Sequence, residues 1–209
     1  MLNAIRKNGT ILAIFACAST GVVALTNYLT QDKIQEQEQA QLLSILNQVV
    51  PKALHDNVLS NTCAMIRDPQ LGTNQAMPAY FGTKNGDYSA IAIEAIAPDG
   101  YNGAIKIIVG INKQGVITGT RVLSQNETPG LGDKIDIRVS DWILGFTGKT
   151  VTKKNYDTWK VRKDGGQFDQ FTGATITPRA VVKAVRNTAL FVEKNHAKLF
   201  AQAHQCEVD

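Results

Sequence analysis

The 209-residue chain has few of the side chains from which metal centres are built: three cysteines (Cys17, Cys63 and Cys206) and three histidines. No two cysteines stand in C-x-x-C spacing, and three thiolates fall short of the four that a common iron–sulfur cluster takes. His55 is remote from the others, and His196 and His204 read as face residues of a last helix, so no metal site is expected. Basic residues are scattered, with a formal net charge of only +4. Without a dense Lys/Arg block or a basic patch interleaved with aromatics, the chain has no signature of a nucleic-acid partner. It also lacks a G-x-G-x-x-G fingerprint and a catalytic-triad pattern. Disorder is not indicated either, because 44% hydrophobic against 19% charged residues suffices for the core of one sizeable domain.

Charge is absent altogether from Gly9 to Leu29. At about 1.5 Å per helical residue this run can cross a hydrocarbon layer of roughly 30 Å. Arg6 and Lys7 precede it, whereas Asp32, Glu36 and Glu38 follow with only Lys33 among them. That asymmetry puts residues 1–8 in the cytoplasm, 9–29 in the membrane and the remainder outside. In a bacterial cell this is a single-pass protein of the inner membrane with a periplasmic domain. A cleaved signal peptide is the competing reading, with Ala16 and Ala18 in A-x-A spacing. Apolar residues continue through Val22, Val23, Ala24 and Leu25, which favours a retained span. Lipoprotein processing at Cys17 is a third reading, disfavoured by bulky Phe15. Cys63 and Cys206 both fall in the oxidising compartment and are expected to pair, with two separate thiols as the alternative.

Thr30 to Val50 contains neither Gly nor Pro. Leu42, Leu43, Ile45, Leu46, Val49 and Val50 recur at roughly helical spacing there, predicting a helix that continues from the span, docks its second half on the domain and stops at Pro51. Residues 30–76 thus read as a helical and then irregular connection. The main domain, 77–209, begins with strand signals at Ala79–Thr83, Tyr88–Ala97, Ala104–Ile111 and Gly115–Leu123, separated by Asn85-Gly86 and Pro98-Asp99-Gly100 turns. An antiparallel meander fits. Asp141–Phe146 reads as a short helix and Thr158–Arg162 as a strand. A terminal helix is expected over 178–203, with Thr177 as N-cap and Pro178 in its first turn. The fold class is α+β: an N-terminal transmembrane helix, then a largely antiparallel sheet with flanking helices.

Just upstream of that helix lies FDQFTGAT, residues 168–175. Asp169, Thr172, Gly173, Ala174 and Thr175 form an Asp-x-x-Thr-Gly-Ala-Thr pattern, which chance places in roughly one chain of this length per thousand. Small residues at a helix N-terminus, where backbone N–H groups lack partners, suit a phosphate. An ordinary loop into a helix is the plainer reading. Residues 127–132 read ETPGLG, which alone is a Pro-Gly turn after a strand.

The two segments in this order, after a Gly100-Tyr101-Asn102-Gly103 turn, closely resemble the FMN-binding domain of the RnfG/RsxG and NqrC subunits of membrane redox pumps. The resemblance runs over nearly the whole chain, and the short length is nearer RnfG. It implies FMN joined by a phosphoester to Thr175, installed by a flavin transferase from FAD. Asp169, Thr172 and Thr177 match the modification motif around it, and Gly173 and Ala174 leave room for the group. Glu127, Thr128, Leu131 and Gly132 are implied as neighbours of the flavin ring. The implied function is a membrane-anchored electron carrier, a subunit of an ion-translocating ferredoxin/NAD oxidoreductase complex with other membrane subunits as partners. Such a redox subunit is not expected to turn over a substrate alone. A standalone periplasmic flavoprotein reductase and a non-redox anchored binding module are the alternatives.

The charge asymmetry makes topology testable. Alkaline phosphatase fused after Asp209 is expected to be active, and a cytoplasmic reporter at the same site silent. The reverse pattern would exclude an exported domain.

Overall fold

The computed structural model describes residues 2–201 and divides the chain into two compact units, residues 1–42 and 43–209. The first unit is part of a single helix, α1 (Leu2–Val49). Its segment Ile5–Gln31 is long and apolar enough to cross a membrane, with Leu12, Phe15, Val23 and Leu29 exposed. Several hydroxyls in it turn back on the helix: Thr10 donates to Arg6 O, Thr26 to Val22 O and Thr30 to Thr26 O, each at 2.8 Å. A polar side chain in hydrocarbon must find its partner within the segment, and these do. Cys17 is free and exposed.

In the second unit, α1 ends where Pro51 would block its continuation, with Leu46, Val49 and Val50 fully buried. Five strands follow: β1 (Cys63–Ile66), β2 (Met77–Lys84), β3 (Asp87–Ala97), β4 (Ile105–Asn112) and β5 (Ile117–Ser124). They form one antiparallel sheet in sequence order, the meander expected from the alternating pattern. At the β2–β3 hairpin Asn85 and Gly86 have φ of 56° and 86°, the left-handed pair that matches strand twist in a two-residue turn. Register sets the faces. Ala79, Ile93, Val109 and Thr120 align across β2–β5 on one face, and Tyr80, Ala92, Gly110 and Gly119 on the other.

The first face carries the main core. Phe81, Ile91, Ile93, Ile107, Val109 and Ile111 pack there with Val181, Val185 and Val192 of α2 (Ile176–Ala201). Burying each such side chain contributes about 1.5–3 kcal/mol. The second face receives the end of α1. Thr118 Oγ1 donates to Val49 O, satisfying a carbonyl that the helix terminus leaves free, and Arg121 Nε donates to Gln48 Oε1 at 2.9 Å. On this face Glu94 is buried beside the Lys106 ammonium, 2.6 Å from its Oε2, as an ion pair rather than an aligned hydrogen bond. Burial, then the Glu94 charge, pushes the Tyr80 phenol up to about 12.

Three expectations need correction. Thr158–Arg162 is not a strand: 3-10 turns at Tyr156–Thr158 and Arg162–Asp164 flank a single bridge from Val161 to Phe168. Trp159 and Val161 are nevertheless both buried in the core. Residues 52–76 are not wholly irregular, because Cys63–Ile66 pairs with β2; four residues without alternation carry too little signal. The terminal helix begins at Ile176, so Thr177 lies inside its first turn and Thr175 takes the position before it. Pro178 is tolerated there because first-turn amides have no intrahelical partner. The expected end of this helix, His204 and Cys206 lie outside the described residues, while Cys63 is disulfide-bonded.

The seat of α1 is tight. A Cβ at Gly110 would stand 2.1 Å from Val49 O, and one at Gly119 2.8 Å from Val49 Cα. Gly110→Ala is therefore expected to push the helix end off the sheet and to cost about 1–3 kcal/mol. Urea unfolding of detergent-purified protein measures this, and an unchanged midpoint would contradict the packing.

Candidate functional site

The segment 168–175 is anchored by its phenylalanines. Phe168 and Phe171 are buried, Phe168 against Phe146 and Trp159 with ring centroids 4.7 and 5.0 Å apart, and Phe171 against Trp142 at 5.2 Å. Such aromatic contacts fix the loop at both ends of the Asp169-Gln170 pair. Asp169 is held outward: its Oδ1 pairs with Arg162 Nη1 at 2.9 Å, and its carbonyl accepts from Trp142 Nε1 at 2.8 Å.

Past Phe171 the chain reverses in a tight turn closed by Ala174 N–H donating to Phe171 O at 3.2 Å. Gly173 takes φ of 82°, a left-handed conformation that a side chain there would strain. Thr172 stands exposed in this turn. Thr175, half-buried, precedes α2, whose aligned peptides present a partial positive charge and unpaired N–H groups at this end. The first turn carries no acidic residue. Arg179 is engaged elsewhere, with Nε and Nη2 donating to the Asp164 carboxylate at 2.7 Å each.

The second segment arrives from β5. Thr128-Pro129-Gly130-Leu131 makes a turn with Leu131 N–H donating to Thr128 O at 3.1 Å and Gly130 at φ of 75°. Glu127 precedes the turn and is buried. Its Oε2 accepts from Thr177 Oγ1 and its Oε1 from Asn102 N–H at 3.1 Å. One carboxylate thus joins the 100–103 turn, the 127–132 loop and the first turn of α2. Just beyond, Arg138 donates to Asp136 through its Nε and Nη2 as well as its backbone N–H. That side-chain hydrogen bond, against the opposing effect of burial, holds the Asp136 carboxyl below its ordinary range.

Together these segments enclose a cleft of about 300 Å³ lined by residues of both loops, among them Glu127, Thr128, Leu131, Gly132, Gly173, Ala174, Thr175 and Thr177. The two loops lie far apart in sequence and meet here: a Cβ on Gly173 would lie 3.3 Å from Leu131 Cδ2. Thr172 and Asp169 are not among the lining residues. Tyr101 and Ile176 do line it, both substantially exposed. Neither was singled out as a site residue in the sequence: Tyr101 entered only as part of the 100–103 turn, and Ile176 lies between the 168–175 motif and the helix expected from 178. Apolar surface at the rim, a threonine hydroxyl and a helix N-terminus suit a ligand with a flat apolar part and a phosphate. Among the described residues no group of His, Cys, Asp or Glu side chains could hold a metal ion.

Comparison with known proteins gives two family matches: the RnfG N-terminal region over residues 1–49 and the FMN-binding domain over residues 100–189. Among curated proteins, the chain is similar over its whole length to several that are named as the G subunit of an ion-translocating oxidoreductase complex. That of Vibrio parahaemolyticus is 66% identical over 209 residues, covering 100% of this chain and 99% of the relative. That of Vibrio atlanticus is 68% identical over 206 residues, and that of Aliivibrio fischeri 55% over 208, each covering 99% of both chains.

Gly132 decides whether the cleft can close. A Cβ there would stand 2.8 Å from both Glu127 Oε2 and Thr177 Oγ1. Gly132→Ala is expected to break their hydrogen bond and to cost about 1–3 kcal/mol by leaving buried polar groups unpaired. Thermal unfolding of the flavin-free protein checks this; an unaltered transition would contradict the described geometry.

Proposed function

The chain belongs to the RnfG family, the G subunits of ion-translocating oxidoreductase complexes, and carries that family's FMN-binding domain; we propose that it is a membrane-anchored electron carrier whose FMN is joined by a phosphoester to Thr175. The observation that carries the assignment is the cleft in which Thr175, at the start of α2, meets the 127–132 loop. Thr172 has a hydroxyl in the same motif but stands in the exposed turn, away from the cleft lining.

The residues present fit the group. Phosphate on Thr175 would meet the positive end of α2, while Leu131, Tyr101 and Ile176 offer apolar surface to an isoalloxazine ring. For attachment, Thr175 Oγ1 attacks the FMN-side phosphorus of FAD. The new P–O bond forms as the pyrophosphate bond breaks, AMP leaves, and the hydroxyl proton passes to a base of the flavin transferase. Asp169, exposed and ion-paired with Arg162 on the outer side of the loop, is available to that transferase. Once bound, FMN supplies reversible electron uptake, and attachment through the phosphate leaves the ring's electronics to be tuned by its surroundings. Its redox neighbours are other membrane subunits of an Rnf-type complex coupling ferredoxin/NAD chemistry to ion movement.

The apolar segment Ile5–Gln31 anchors the domain, on this reading in the bacterial inner membrane with the N-terminus cytoplasmic and the flavin domain periplasmic. An oxidising periplasm also accounts for a bonded Cys63, whose proposed partner is Cys206.

Coexpression with a flavin transferase and peptide mapping by mass spectrometry tests the assignment. FMN is expected on Thr175, and Thr175→Ala is expected to fold normally yet lose in-gel flavin fluorescence. FMN on another residue, or fluorescence that survives in Thr175→Ala, would refute it.

A further inference from the structure

Among the described residues that line the cleft, Glu127 is the one acidic side chain, and none is a lysine, arginine or histidine. Its carboxylate is enclosed. Glu127 is buried, and a Cβ at Gly132 would lie 2.8 Å from Oε2 and one at Gly100 3.0 Å from Oε1, so two glycines approach it closely. The charge is compensated by the Thr177 hydroxyl, the Asn102 N–H and the positive end of α2, not by a cation. On the assignment above, the same helix N-terminus also faces the phosphate on Thr175, so two anions share one partial positive charge.

We propose that Glu127 lowers the reduction potential of the flavin carried on Thr175, an inference that rests on the assignment of FMN to this cleft. Each electron passed from a reduced carrier of the complex to the ring adds one negative charge to it until a proton follows from solvent. A fixed carboxylate buried in the wall of the same cleft repels that charge more strongly than one standing in water. The neutral oxidised ring feels no such repulsion. Glu127 therefore favours the oxidised form and makes the reduced flavin the stronger donor to the next carrier. Thr177 is a positioning residue: its hydroxyl orients Oε2 and draws off part of its charge.

The test uses the full chain, coexpressed with a flavin transferase and purified in detergent. Loading is read by intact mass and in-gel fluorescence, and the midpoint potential by spectroelectrochemical titration with dithionite. Glu127→Gln keeps the shape, with the amide oxygen able to accept from Asn102 and the amide N–H₂ able to donate to the Thr177 oxygen. Its potential, read on the flavin-loaded fraction, is expected to rise. Thr177→Val removes the donor but keeps the carboxylate, and its potential is expected to fall. These opposite shifts separate a field effect from a loosened cleft, which would move both variants in the same direction and overturn the proposal. Equal potentials for Glu127→Gln and wild type at equal loading would also overturn it. If Glu127→Gln fails to fold, Thr177→Val decides alone: a lowered potential supports the proposal and an unchanged or raised one overturns it. A wild-type chain without FMN on Thr175 would overturn the parent assignment and this inference with it, whereas loaded variants without shifts overturn this one alone.

Discussion

The buried hydrogen bond from Thr177 to Glu127 is the contact on which the cleft depends. It ties the first turn of α2 to a loop fifty positions earlier in the chain, and Asn102 brings the β3–β4 turn to the same carboxylate. A buried carboxylate must have its lone pairs met, and leaving it unpaired costs more than the hydrogen bonds contribute singly. The three segments are therefore coupled through one side chain: losing either donor leaves the buried carboxylate with fewer partners. Gly132 follows from it, since a side chain there would crowd both the carboxylate and the Thr177 hydroxyl, whereas at Gly100 a side chain would first meet the Gly103 carbonyl.

The sheet divides its labour by face. Period-two alternation puts Ile93 and Val109 toward α2, and Ala92, Gly110 and Gly119 toward the end of α1. The α2 face builds a deep apolar core with long branched side chains. Under the end of α1 the other face has Gly110 and Gly119, which lets backbone approach backbone, and Thr118 meets the last free carbonyl of the helix. Within the second unit, Gln48 and Val49 at the end of α1 are thus seated on the sheet whose other face supports α2.

Much of this was legible in the sequence because it rests on local rules. The meander follows from alternation with Asn-Gly and Pro-Asp-Gly turns, and the end of α1 from Pro51. The cleft was legible only as two motifs, FDQFTGAT and ETPGLG, whose meeting rested on a family resemblance and not on spacing. Tyr101 and Ile176 escaped because a lining position is created by tertiary convergence and leaves no periodic trace. The strand expected at Thr158–Arg162 failed for a related reason. Trp159 and Val161 alternate as a strand would, but their burial comes from Phe146 and Phe168, not from a neighbouring strand. Thr177 was misplaced by two rules that compete at helix starts: a hydroxyl before proline suggests an N-cap, yet here the hydroxyl serves a distant carboxylate and the helix begins earlier.

The shape of the cleft gives a reason for covalent attachment on the reading that FMN sits on Thr175. A space of about 300 Å³ with exposed Tyr101, Leu131 and Ile176 at its rim leaves much of a flavin ring outside. Ligands held tightly without a covalent bond usually have most of their surface buried. A tether removes that requirement, because attachment holds the ring at a high effective concentration beside the cleft whatever its intrinsic affinity. The protein can then leave a ring edge accessible, which a carrier passing electrons between neighbouring proteins needs. The acidic Glu127, which would weaken the hold on an anionic cofactor, becomes tolerable once that cofactor cannot leave.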